Sequence, residues 1–221
     1  MDFWYRLSKR IVGTYLAAFV KKIHVAGEEN LPPGPKIIMA NHAHLSDGFV
    51  LPFVIREKLH FLIQGKSFDL PFLRFLLSKA EQIPVMIGRA QEALQTSLDK
   101  LSKGHAIAIF PEGKLNYGQK LHRGRLGAAL LAIRSGAPIV PVGFYVPPEF
   151  TRMMTARVQN QISKTTMQIR GVCYVCIGKP WSVRPSNDDE IHPRLLRDLT
   201  DKIMSNIEDL VGQARAEAQR S

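Results

Sequence analysis

Two short stretches about seventy positions apart hold the residues best able to do chemistry. Asn41-His42-Ala43-His44-Leu45-Ser46-Asp47 offers an imidazole with a carboxylate five residues on, and Phe110-Pro111-Glu112-Gly113 offers an acid and a glycine in a turn that closes an apolar run. A carboxylate that accepts from one ring nitrogen fixes the tautomer and leaves the other nitrogen as a base. A free imidazole titrates at ~6.5, close to neutrality, and a positioned base contributes ~10² to 10⁴ in rate. Together the two stretches predict one site that deprotonates a hydroxyl and grips an anionic substrate.

The spacing sets a condition on the backbone. In a straight helix five residues turn through about 500°, which leaves the two side chains ~140° apart. His42 and Asp47 can meet only if His42 lies in a turn and Asp47 in the first turn of the helix that follows. The apolar run Gly48 to Ile55 predicts that helix, with His44 and Ser46 as turn residues and a possible cap. The apolar runs Lys36 to Ala40 and His105 to Phe110 predict strands that deliver the two motifs at their carboxyl ends, where functional residues of open α/β sheets collect.

Around these the chain alternates. Strands are expected at Lys22 to Ala26, His60 to Gln64, Ile83 to Met86, Ile139 to Val146 and Gln168 to Ile177. Pro141 should make the fourth of these, Ile139 to Val146, irregular there or short on one edge. Helices are expected near Leu70 to Ser78 and over Ala90 to Lys103, Gly124 to Arg134 and Pro193 to Ala216, the last with Asn187-Asp188-Asp189 as its start signal. Phe150, Met153, Met154, Val158 and Ile162 recur at helical spacing and predict a further amphipathic helix, facing either a membrane or the core. The alternation predicts an α/β single domain, with a mostly parallel (mixed) central sheet flanked by helices.

Residues 1 to 22 read as an amphipathic N-terminal helix, with Phe3, Leu7, Ile11 and Tyr15 on one stripe and Arg6, Lys9, Arg10, Lys21 and Lys22 beside it. Such a helix suits a membrane interface or a seat on the domain. The chain carries a formal net charge of +11, and between Gly113 and Asn187 eleven bases face one acid, Glu149. A field of this kind attracts phosphates or anionic lipid surfaces. Tyr117, Tyr145, Tyr174 and Trp181 lie in the basic stretch without a stacking or helix-turn-helix pattern, so nucleic acid is not expected as a partner. No uncharged run reaches the ~18 residues of a membrane span. Cys173 and Cys176 fall on a strand, where positions three apart face opposite sides ~10 Å from each other, and are expected to be reduced core thiols. The His and acids lack metal-ligand spacing such as HExxH, and no metal or bound cofactor is expected.

The constellation resembles the glycerolipid acyltransferase family, in particular the bacterial 1-acylglycerol-3-phosphate (lysophosphatidic acid) acyltransferase type. Asn41-His42 with Asp47 is similar to the family's first motif, Ile83-Pro84-Val85 followed by Arg89 to its second, Phe110-Pro111-Glu112-Gly113 to its third and Pro138-Ile139-Val140-Pro141-Val142 to its fourth. The resemblance implies His42 as base, Asp47 as its orienting partner, Arg89 and Lys114 as ligands of the acceptor's phosphate, and Glu112 with Gly113 shaping the acceptor site. The third motif usually continues Thr-Arg-Ser, whereas this chain has Lys114-Leu115-Asn116, so a leucine stands at the arginine position.

By the same resemblance the reaction is acyl transfer from acyl-CoA or acyl-carrier protein to the hydroxyl of a lysophospholipid, with no acyl-enzyme. No GxSxG elbow is present to suggest a covalent nucleophile. Moving a sixteen-carbon tail into water costs ~10 kcal/mol or more, so the enzyme is expected to work as a peripheral protein docked on membrane phospholipids at the cytoplasmic face. Residues 1 to 22 are the expected membrane-associating segment and 23 to 221 the acyltransferase domain. Competing readings are a different lipid acceptor, or a non-catalytic basic phospholipid-binding protein on the same scaffold.

Overall fold

A computed structural model describes residues 2–158, 161–184 and 191–220. In chain order the elements are α1 (Phe3–Phe19), β1 (Lys22–Ala26), β2 (Lys36–Ala40), α2 (Asp47–Val54), β3 (Leu59–Gln64), α3 (Pro71–Lys79), β4 (Ile83–Val85), α4 (Ala90–Ser102), β5 (Ala106–Ile109), α5 (Leu126–Ser135), β6 (Ile139–Tyr145), β7 (Thr151–Val158), β8 (Gln161–Gln168), β9 (Val172–Ile177) and α6 (Pro193–Arg220). Seven strands form a mixed sheet in the order β1-β9-β6-β2-β5-β3-β4. Five neighbouring pairs are parallel and only β6 with β9 is antiparallel.

The central strands read as unbroken apolar runs because both of their faces are covered. All five residues of β2 are buried. Ile38 and Ala40 pack on one face against Leu16 of α1 and Val50, Leu51 and Val54 of α2. Ile37 and Met39 pack on the other against Ala128, Ala129 and Ala132 of α5 and Leu199, Ile203 and Ile207 of α6. Gly143 of β6 lets α6 approach closely, since a Cβ there would lie 2.4 Å from the backbone of Leu210 and Val211.

α1 is seated on the domain and exposes apolar side chains at the same time. Tyr5 and Leu16 are buried, the Tyr5 hydroxyl accepting the Leu59 N–H at 3.1 Å, while Phe3, Ile11 and Phe19 remain exposed. No helix among the described residues is long and apolar enough to cross a membrane.

Two expectations need correction. The stretch from Phe150 to Ile162 is not a helix. β7 and β8 form an antiparallel hairpin in register from Thr151↔Gln168 to Val158↔Gln161. Thr151, Thr155, Val158, Ile162, Thr165 and Thr166 make it rich in β-branched residues, which favour a pleated surface and outweigh the apolar spacing. The expected strand Gln168 to Ile177 is divided by Gly171, at φ +77°, into the end of β8 and the whole of β9. Pro141 lies in an interior strand, β6, whose pairing with β9 is irregular there, as one of the two readings has it. Its carbonyl accepts from Gly178 N, and the antiparallel ladder Val142–Tyr145 is separated by Gly178 to Pro180 from an isolated bridge between Ile139 and Trp181. The missing proline N–H falls in that gap, so no ladder bond is lost. Cys173 and Cys176 are free and buried, in different apolar clusters on the two sides of β9. Asn187, Asp188 and Asp189 lie outside the described residues.

Candidate active site

The spacing of the two motifs is the register of a strand pair. β2 and β5 run parallel from Lys36↔Ala106 to Met39↔Ile109, a constant offset of seventy positions. Continued two or three residues past the sheet, the same offset places His42 beside Glu112. Their contact is direct: the Glu112 carboxylate accepts the His42 backbone N–H at 2.8 Å. Asn41 ends β2 by pairing its side-chain amide with β6, accepting from Phe144 N at 2.7 Å and donating to Phe144 O at 3.1 Å.

The His42 ring stacks on Phe110, with centroids 4.0 Å apart and planes 10° from parallel. Its Nδ1 lies 3.5 Å from Asp47 Oδ2. The imidazole keeps 19% of its surface exposed and the carboxylate 1%. Asp47 opens α2, as the geometry of the spacing requires, and its Oδ2 also accepts the His44 N–H at 2.7 Å. At 3.5 Å the His42–Asp47 pair is an electrostatic contact slightly longer than a hydrogen bond, and such contacts often tighten only when substrate is bound. Asp47 beside Nδ1 leaves Nε2 as the nitrogen available to substrate.

Glu112 is buried with both carboxylate oxygens committed to the protein. Besides His42 N it accepts His122 N at 2.8 Å and the Asn116 amide at 2.9 and 3.0 Å. It therefore shapes the site and has no oxygen to spare for substrate. Asn116 N donates to His42 O at 2.8 Å, so Glu112 holds His42 by its amide and the loop after Gly113 holds it by its carbonyl. Gly113 is left-handed at φ +67°, and its carbonyl accepts from the Gln64 side chain at the end of β3.

The β7–β8 hairpin braces the His42 loop. Thr166 donates its hydroxyl to Ala43 O at 3.1 Å and therefore accepts from His44 Nδ1 at 2.8 Å, which fixes His44 as the Nδ1–H tautomer. Burial lowers the His44 pKa and keeps the ring neutral. Ser46 precedes α2 without capping it; its hydroxyl instead accepts Gln168 N at 3.3 Å. Short motifs cannot reveal this brace, because its partners lie more than a hundred residues away in sequence.

The expected phosphate ligands fare differently. Arg89 follows β4 on the same edge of the sheet, but it is exposed and ion-paired at 2.6 Å with Glu92, which raises its pKa. β4 is three strands from β2, about 14 Å at the usual strand spacing. Lys114 is exposed directly after Gly113. A cation the motifs did not signal, Arg125, lies against Gly113: a Cβ built on the glycine would be 2.3 Å from its Nε and 2.9 Å from its Cζ. The one sequence signal for it is the near-absence of acids from Gly113 to Asn187.

A family model described as Acyltransferase matches residues 22–145, from the start of β1 to the end of β6, and so takes in both motifs. The chain belongs to the acyltransferase family. Similar relatives include a 1-acyl-sn-glycerol-3-phosphate acyltransferase of Borreliella burgdorferi, 34% identical over 134 residues covering 56% of this chain and 51% of that protein. One of Chlamydomonas reinhardtii is 29% identical over 128 residues, covering 55% of this chain and 38% of that protein. The chain thus spans about a third to a half of the length of these curated relatives. Among solved structures, the 1-acyl-sn-glycerophosphate (LPA) acyltransferase PlsC of Thermotoga maritima shares the fold, with a TM-score of 0.63 at 19% identity over 94% of this chain and 78% of that chain.

Proposed function

We propose that this protein transfers a fatty acyl group from an acyl thioester, acyl-CoA or acyl-carrier protein, to the hydroxyl of a lysophospholipid, with 1-acylglycerol-3-phosphate as acceptor and phosphatidic acid as product. The observation that carries the reading is the partly exposed His42 ring, stacked on Phe110 and backed by buried Asp47 at 3.5 Å. The names of the relatives supply the substrate class, and the basic field around Gly113 is suited to an anionic headgroup.

In this mechanism His42 Nε2 takes the proton of the acceptor hydroxyl as its oxygen attacks the thioester carbonyl. The tetrahedral intermediate collapses, the C–S bond breaks, and the imidazolium returns its proton to the departing thiolate. Asp47 stabilises the imidazolium while it exists; full charges 3.5 Å apart interact by about 5 kcal/mol at an effective dielectric constant of ~20. The acceptor and product are membrane lipids, and the protein would dock on an anionic bilayer through the exposed aromatic residues of α1 and α3, which carry lysines and arginines beside them. Phe3 and Phe19 lie on α1, and Phe72 and Phe75 on α3, next to each other through an edge-on contact of Trp4 with Phe75.

The test is release of free thiol from acyl-CoA in the presence of lysophosphatidate, comparing wild type with His42→Ala. A loss of ~10² to 10⁴ in kcat is expected. Equal rates would remove the catalytic role, and no wild-type turnover with any thioester would favour a lipid-binding protein on an acyltransferase scaffold.

A further inference from the structure

Leu115 stands where the resemblance puts a phosphate-binding arginine, and a leucine side chain cannot bind an anion. We propose that Arg125, ten residues further on, supplies the missing guanidinium and grips the phosphomonoester of the acceptor. This rests on the acyl-transfer reading above. Arg125 is tied to the second motif, its backbone N–H donating to Pro111 O at 2.9 Å. Its side chain crosses Gly113 on the side where any other residue would carry a Cβ, with Cδ 2.8 Å and Cζ 2.9 Å from that position. Gly113 therefore serves a second purpose besides its left-handed turn: it vacates the space the arginine occupies.

The approach is fixed from the other side as well. Gly124 is buried against Thr200 and Met204 of α6, and its carbonyl accepts from Arg197 at 2.9 Å. The guanidinium is exposed, and among the described residues no carboxylate pairs with it. Arg89, Arg197 and Arg220, by contrast, each hold an acid. An unpaired guanidinium held beside the residue that anchors His42 is preorganised for a doubly charged oxyanion, and its planar fork matches phosphate where the point charge of Lys114 does not.

The experiment uses the full chain with acyl-CoA and a short-chain 1-acylglycerol-3-phosphate, varying each substrate in turn, in wild type, Arg125→Ala and Arg125→Lys. Arg125→Ala is expected to raise the acceptor KM by roughly 10- to 100-fold, the scale of losing charge-assisted hydrogen bonds, with kcat within about threefold and the acyl-CoA KM unchanged. Arg125→Lys should fall between. With a monoacylglycerol acceptor, which has no phosphate, wild type and Arg125→Ala should be alike. An acceptor KM within about twofold of wild type overturns the assignment. So does a rise confined to acyl-CoA, which would place the arginine on the phosphates of the donor, or an equal loss with monoacylglycerol. If wild type transfers no acyl group, the acyl-transfer reading fails by itself; the assignment is then decided by calorimetric binding of lysophosphatidate against monoacylglycerol to wild type and Arg125→Ala, and equal binding of the phosphorylated lipid by both sinks it.

Discussion

Replacing Glu112 by Gln tests whether this carboxylate holds the proposed base, His42, in place. The two side chains have nearly the same shape, so the change is one of hydrogen-bond chemistry alone. Oε1 accepts from His42 N and Asn116 Nδ2, and Oε2 from His122 N and Asn116 Nδ2. Glutamine offers one oxygen and one amide nitrogen, and every neighbour is a donor. In either orientation the new NH₂ group faces a buried backbone N–H, that of His42 or that of His122. An unsatisfied buried donor costs about 1–3 kcal/mol, and loss of charge assistance on the remaining bonds adds about 1 kcal/mol or more. A total of about 3 kcal/mol in a protein of this size lowers Tm by about 10 °C. If the His42 amide is the one released, a ring displacement on the order of 1 Å costs up to ~10² in kcat. Thermal unfolding by circular dichroism and thiol release from acyl-CoA measure the two effects. A Tm within about 2 °C and a kcat within about twofold of wild type would refute the role.

Asp47→Asn keeps the bond to His44 N but removes the charge behind His42; if half of the ~5 kcal/mol contact is realised in the transition state, kcat falls by ~10² with little change in KM, and a fall under about threefold argues against electrostatic assistance. His60 is buried with Nε2 unpartnered, and its Nδ1 bonds Glu81 O at 2.9 Å; burial first, then the nearby charges of Lys100, Lys58 and His105, push its pKa down to about 4. Because the unfolded chain protonates near ~6.5, it binds more protons than the fold between those values, so stability is complete above pH ~6.5 and declines by about 3 kcal/mol as pH falls toward 4. His44, also lowered, acts in the same direction, whereas Glu81, held at about 2, weakens the fold only below about 4.5. Urea unfolding at pH 7.5 and 4.5 should show a smaller pH dependence in His60→Gln, and an unchanged one would exclude His60 as the source. Phe3 and Phe72 are 61% and 71% exposed, so Phe3→Ser/Phe72→Ser should leave Tm nearly unchanged while reducing sedimentation with anionic vesicles by roughly tenfold or more; undiminished sedimentation would remove this surface from docking. Point substitutions are preferable to removing residues 1–22, because Tyr5 and Leu16 belong to the core.

The parts of the fold legible in the sequence were those in which local pattern and tertiary environment agree. β2 and β5 are short apolar runs ended by polar turns, and they became buried central strands with the two motifs at their carboxyl ends. Asp47 at the head of α2 follows from helical geometry alone, since five residues within one helix cannot bring it to His42. The hairpin is not legible in the sequence because apolar residues spaced at 3–4 positions also suit two strands, and the deciding contacts, such as Leu45 N to Thr166 O at 2.9 Å, join segments remote in sequence. Arg125 is hidden in the sequence for the same reason. Nothing in Arg123-Gly124-Arg125 distinguishes it from neighbouring cations until its approach to Gly113 is known.

The proposed base and the surface that would read the headgroup depend on different kinds of structure. His42 is placed by backbone amide and carbonyl bonds, by stacking on Phe110 and by the head of α2, all of them fixed by the register of two central strands. Changing an exposed side chain elsewhere in the loop from 114 to 125 leaves those contacts intact. Cations at 114, 120 and 123 are exposed on that loop, Arg125 is exposed while lying across Gly113, and the side chain at 115 accounts for none of the bonds to His42; within the loop Asn116 and His122 are drawn into the network around Glu112. Leucine at position 115 can therefore stand beside an undisturbed His42, and the charge proposed to meet the acceptor can be carried by another residue of the same loop. Selectivity for the acceptor and the chemistry of proton removal should accordingly separate under mutation. Substitution at 125 should move KM for the phosphorylated acceptor, substitution at 42 or 47 should move kcat, and only substitution at 112, where the loop and the base share one carboxylate, should move both.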